Sequence, residues 1–176
     1  MVDRKLFIEG STDTINGNLR EGFGVLIEKK IKGKLLRINM GGGKEQTINK
    51  FKNSTNSKLL CDLDAPSAEI SNDLNKYGIV EQKDSVFYMV QEMEAWFISQ
   101  QEILDKFYNT QISKKLPKKN GCDFNEPDKE LQRITKDTKK GIYHKVNHGA
   151  QLLKLLDADR LCLDFPDFRR LIESLV

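Results

Sequence analysis

The chain has 176 residues, 38% of them hydrophobic, and a formal net charge of +3. That is enough to build one sizeable core, and no apolar stretch is long enough to span a membrane as a helix, so no membrane role is expected. The three cysteines, Cys61, Cys122 and Cys162, are scattered without any CxxC spacing, which points to a reduced, cytoplasmic protein with neither a disulfide framework nor a zinc site.

The opening MVDRKLFIEG lacks the apolar run of a secretory signal, and KLFIEG (5–10) reads as a short buried strand stopped by glycine. From 11 to 30, Ile15, Leu19, Phe23 and Leu26/Ile27 recur at helical spacing, with Ser11 or Thr12 as N-cap and Asp13 facing the positive helix end. KLLRINM (34–40) reads as a second strand. The GGGK at 41–44 turns into a helix through Phe51 and is a candidate for lining a substrate cleft; Lys44 is followed by Glu45, so it lacks the ending of an ATP-binding phosphate loop. KLLCDLD (58–64) is the third strand, 66–77 a helix, and DSVFYMV (84–90) the fourth strand.

This β-α-β-α-β-α-β order predicts an α/β fold in three layers, with a four-stranded, mainly parallel sheet in the order 2-1-3-4 between helices. An amphipathic helix over 92–108 completes a core at 1–108. The polar, lysine-rich stretch 109–144 reads as a loop or loosely helical excursion on the surface, or an insertion, and 145–176 as C-terminal helices packing on the core, with amphipathic segments at 149–161 and 164–176, all within a single domain. Between Lys114 and Lys145 there are ten Lys/Arg against five Asp/Glu, which leaves the rest of the chain at −2. Lys114, Lys115, Lys118, Lys119, Lys139 and Lys140 are therefore candidates for gripping a nucleic-acid backbone.

The chemistry concentrates at LLCDLDAP (59–66). Residues two apart on a strand share a face, so Asp62 and Asp64 are expected to look the same way and to repel each other unless a cation intervenes. Functional groups of open α/β sheets collect outside the carboxyl ends of the strands. Glu9 ends the first predicted strand and the two aspartates the third. If those strands are neighbours, three hard oxygen donors meet, a set that favours one or two Mg²⁺ or Mn²⁺ ions. Glu92 and Glu94 are further candidates for a second ion, although two residues apart on a helix they diverge by about 200°. Lys145, with Tyr143 and His144 beside it, is a candidate for stabilising charge on a phosphate. The His144/His148 pair has helical metal spacing without an HExxH context, and Trp96 reads as core.

Taken in order, E-G at the end of strand one and D-L-D at the end of strand three resemble a Toprim domain. That fold is shared by topoisomerases, bacterial-type primases, small ribonucleases and the nuclease half of the overcoming-lysogenization-defect proteins. With 8-IEGSTD-13, 62-DLD-64, 92-EMEAW-96, 143-YHK-145 and 166-PDFRR-170, the chain is similar to a Toprim-like bacterial family over almost its whole length. Phe165 stands where that pattern often has cysteine. The resemblance implies that Glu9 is a metal ligand or general acid/base, that Asp62 and Asp64 bind metal, and that Asp13, the acid following E-G, is a further candidate metal ligand. It also implies a metal-dependent nuclease acting on RNA or DNA, with an ATPase partner in anti-phage defence. The alternative is a non-catalytic regulatory or binding module. A phosphotransfer domain fits less well, because D-x-D follows strand three and not strand one.

Overall fold

The computed structural model describes residues 4–12, 15, 17–33 and 36–176. Its elements run β1 (Arg4–Ile8), α1 (Leu19–Ile31), β2 (Leu36–Met40), α2 (Lys44–Lys52), β3 (Ser57–Asp62), α3 (Ile70–Tyr77) and β4 (Val86–Met89). They continue with α4 (Glu94–Ser99), α5 (Gln101–Tyr108), α6 (Pro127–Thr135), α7 (Asn147–Leu155), α8 (Ala158–Asp164) and α9 (Pro166–Leu175). The four strands form one parallel sheet in the order β2-β1-β3-β4. The fold is α/β with helices on both faces and a helical C-terminus, as the alternation of elements requires.

Strand periodicity divides the core in two. Leu6, Ile8, Leu60, Phe87 and Met89 face a large cluster built by α1 and α4 through α9. Leu59, Cys61, Val86 and Tyr88 face a smaller one formed with Ile48 and Phe51 of α2 and Leu74 of α3. Trp96 is fully buried at the centre of the larger cluster. Its ring meets those of Phe23, Phe165 and Phe168 edge-on, with centroids 6.3, 6.3 and 5.1 Å away. Phe165, buried against Trp96, is thus a packing residue.

Three helices differ from the expectation, each for a local reason. The first begins at Leu19, well after Ser11 and Thr12, because the Asn18 side chain accepts the Glu21 N–H at 3.0 Å and so caps it there. Gly17, at φ +152°, has no room for a Cβ, which would lie 2.4 Å from the Val146 carbonyl oxygen; Ile15 is exposed. The 92–108 helix is broken at Gln100. This buried amide donates to the Asp157 carbonyl at 2.9 Å and accepts the Asp157 N–H at 2.8 Å, tying the break to the α7–α8 junction. The C-terminal helix at 149–161 breaks at the same junction, where the Asp157 carboxylate caps α8.

The 109–144 stretch is helical in part and packs inward. It contains α6 and buries Ile112, Phe124, Leu131 and Ile134 in the larger cluster; Leu131 and Ile134, three apart on α6, share one face of that helix.

Candidate functional site

Register places the first acids side by side. β1 and β3 are neighbours with Ile8 opposite Leu60, and the ladder continues as the Glu9 N–H donates to the Leu60 carbonyl at 3.0 Å. Glu9 Oε2 then accepts the Asp62 N–H at 3.1 Å. Burial, then the charges of Asp62 and Asp64, push the Glu9 carboxyl up to about 7. Three carboxylates therefore share the carboxyl edge of two adjacent parallel strands, where α/β sheets put their chemistry.

Asp62 and Asp64 do not, however, look the same way. β3 ends at Asp62, and Asp64 lies beyond it in the left-handed region at φ +59°, where strand alternation no longer holds and Asp is tolerated better than most residues. Gln91 mirrors it at φ +58° after β4, and the Asp64 N–H donates to the Gln91 carbonyl at 2.7 Å. The two strand ends are thereby tied together. Asp62, 4% exposed, accepts the Met93 N–H on Oδ1 at 2.8 Å and the Lys145 ammonium on Oδ2 at 2.9 Å. Asp64 instead meets Lys44 from α2, with Nζ 3.8 Å from Oδ2. Burial, then the charge of Asp62, raise the Asp64 carboxyl from its ordinary value.

Lys44 closes the GGGK turn that stands out in the sequence, but no motif pairs it with Asp73. The Lys44 ammonium lies 3.0 Å from Asp73 Oδ1, donates to the Leu63 carbonyl at 3.3 Å, and sits 5.6 and 5.9 Å from the ring centres of Tyr77 and Tyr88. The GGGK turn delivers this lysine from the start of α2. The turn itself is held by the reciprocal Gly10–Gly42 bridge between the ends of β1 and β2.

On the far side, Glu94 is completely buried. Tyr143 donates its hydroxyl to Glu94 Oε1 at 2.8 Å, while Oε2 has no hydrogen-bond partner and lies 3.6 Å from Lys145 Nζ. Burial raises the Glu94 carboxyl. The charges of Asp62 and Glu94 outweigh burial at Lys145 and push its ammonium far up, so it stays charged. Glu92 turns elsewhere, accepting the Asp128 N–H in the first turn of α6 at 3.3 Å. Burial, then the charges of Asp128, Glu94 and Asp62, push it up to about 7.

The six lysines Lys114, Lys115, Lys118, Lys119, Lys139 and Lys140 are exposed. Lys115 bonds the Ile134 carbonyl, Lys119 lies 4.3 Å from the Phe124 ring centre, and Lys140 lies 4.7 Å from that of Phe107. His148 uses Nδ1 toward the Tyr108 hydroxyl and the His144 N–H. Asp13 lies outside the described residues.

Among the described residues, no group of three His, Cys, Asp or Glu side chains is gathered as a ready metal cage. A lysine flanks the set on each side, Lys44 beside Asp64 and Lys145 beside Asp62. The donors are nevertheless hard oxygens with unspent lone pairs on Glu9, Asp62 and Asp64, and Glu9 holds its charge at a cost that a cation would relieve. By donor type alone, hard oxygens of this kind are those that Mg²⁺ or Mn²⁺ take. No curated protein and no solved structure matches the chain. A protein-family model described as a domain of unknown function (DUF4276) matches residues 9–176, a span that takes in Glu9, Asp62, Asp64, Glu94 and Lys145. The chain therefore belongs to the DUF4276 family.

Proposed function

We propose that this protein is a Toprim-like, divalent-metal-dependent nuclease that cleaves phosphodiester bonds in RNA or DNA. The observation that carries the reading is the meeting of Glu9, Asp62 and Asp64 at the carboxyl edge of β1 and β3. Glu9, Asp62 and Asp64 would hold Mg²⁺ or Mn²⁺, which supplies activation of water and neutralisation of charge on phosphate. Glu9, near 7, is suited to moving a proton at neutral pH. Lys145, 44% exposed at its side chain, remains accessible enough to meet a phosphate oxygen while anchored on Asp62. The exposed lysines between 114 and 140 would add sequence-independent attraction for the backbone. The Toprim resemblance brings an ATPase partner and a role in anti-phage defence into the same proposal.

The test is cleavage of pooled tRNA, single-stranded DNA and duplex DNA with Mg²⁺ or Mn²⁺, using wild type beside Asp62→Asn/Asp64→Asn. Asparagine keeps the acceptor for the Met93 N–H, so the fold is expected to survive. Metal-dependent cleavage that falls at least about a hundredfold in the double variant supports the reading. Absence of cleavage, with and without a candidate ATPase, rejects it. One observation favours the other reading, a non-catalytic module: Lys44 and Lys145 already compensate the carboxylates from within. On that reading the double variant changes stability or assembly, and no reaction is lost.

A further inference from the structure

We propose that β2, an edge strand of the sheet, takes up an extended acidic segment of a partner protein as a further strand, laid in the groove between β2 and the start of α1.

The two edges of the sheet are finished differently. At β4 the outward Tyr88 N–H donates to the Asp167 carboxylate of α9 at 2.9 Å, so that edge is closed from within the chain. At β2 the Gly41 N–H donates to the Ile8 carbonyl at 2.8 Å. Backbone groups alternate along a strand, so Arg37 and Asn39 also turn theirs to β1, while Leu36, Ile38 and Met40 turn theirs outward. Among the described residues nothing pairs with that outer row. Such a row is a template for another strand.

The side chains beside it select what binds. Two adjoining cavities of about 440 and 270 Å³ follow the edge, and Asn18, Arg20 and Ile38 line both. Leu36, Ile38 and Met40 turn toward the larger cluster but are only partly buried, which leaves apolar surface for alternate residues of an incoming strand. Arg37 lies on the opposite face of β2. Arg20 and Arg37 are both exposed, and neither has an ion pair among the described residues. Arg4, Arg133, Arg160 and Arg170, by contrast, are each held by a carbonyl or a carboxylate. Acidic side chains of a bound segment would meet the two free guanidiniums. A second copy of this chain would bring both pairs of arginines into one groove, where like charges repel. A nucleic-acid strand would meet the same cations but has no alternating N–H and C=O to offer the edge.

The test is fluorescence anisotropy of a labelled peptide alternating valine and glutamate, beside its valine–lysine counterpart and a labelled oligothymidylate. It uses wild type, Arg20→Glu/Arg37→Glu, which leaves the backbone edge untouched, and Ile38→Pro, which removes an outward donor and no bond to β1. Circular dichroism checks folding. Expected are saturable binding of the glutamate peptide, protection of the Ile38 and Met40 amides from hydrogen exchange, and no binding of the lysine peptide. Affinity should fall at least about tenfold in the charge-reversed variant and in folded Ile38→Pro. No saturable binding of the glutamate peptide, unchanged affinity in Arg20→Glu/Arg37→Glu, or protection elsewhere on the surface would overturn the proposal. So would preferential binding of the oligothymidylate at the same residues, which assigns the groove to nucleic acid. A wild-type dimer that Ile38→Pro dissociates would overturn it too, assigning the edge to a second copy.

Discussion

At Glu9, and again at Glu92, burial and neighbouring acids move a carboxyl from its ordinary value of 4.5 to about 7. The native state therefore holds these protons more tightly than the unfolded chain does. Their contribution to stability is full below about pH 4.5 and is lost as the pH rises through about 7. Urea unfolding of the metal-free protein should accordingly show a lower midpoint at about pH 8 than at about pH 5.5, and Glu9→Gln should flatten that dependence. A midpoint that rises over the same interval would count against the crowding of these acids. The acids at strand ends were legible from sequence because E-G and D-L-D stand where strands stop. Their divergence was not, since it follows from the left-handed backbone at Asp64. The pairing of Lys44 with Asp73 was invisible for another reason: they lie 29 residues apart, and nothing in local spacing joins them.

Helix packing sets the next scale, and α1 against α7 shows how tightly. A Cβ on Gly22 would stand 2.8 Å from the Ala150 carbonyl oxygen and 3.1 Å from Leu153 Cδ1. Backbone cannot give way as a flexible side chain does. Gly22→Ala should thus lose about 1–3 kcal/mol to overpacking, more than the ~1 kcal/mol that alanine adds in helix propensity. Gly24 is the control within the same helix, because its Cβ would meet only Ile38 Cδ1 at an ordinary 3.8 Å. There the propensity gain stands alone, and Gly24→Ala should be neutral or stabilising by up to about 1 kcal/mol. Chemical denaturation of the pair checks both signs. Equal effects would mean that α1 does not rest on α7 as described. The helix breaks at Gln100 and Asp157 belong to this scale too: each sequence stretch reads as a continuous amphipathic helix, and the reciprocal bonds between the two residues interrupt both.

For the molecule as a whole, Trp96 is the reporter. It is the single tryptophan of the chain, and its contacts join α1 and α4 to the chain leading into α9. The C-terminal helices share the core with the sheet, so unfolding followed by Trp96 fluorescence and by far-ultraviolet circular dichroism should coincide in one transition. An early fluorescence change, with most helix retained, would show that the C-terminal helices dock as a separate unit. The sequence by itself determined the α/β alternation, the parallel sheet and the acids at the ends of β1 and β3, because hydrophobic period and strand termination are local properties. Tertiary structure alone decided which cations face those acids. Lys145 reaches Asp62 across 83 positions and Glu94 is sealed beneath Tyr143. Such charge pairing depends on how the C-terminal helices close over the sheet, and a pattern of neighbours along the chain does not encode it.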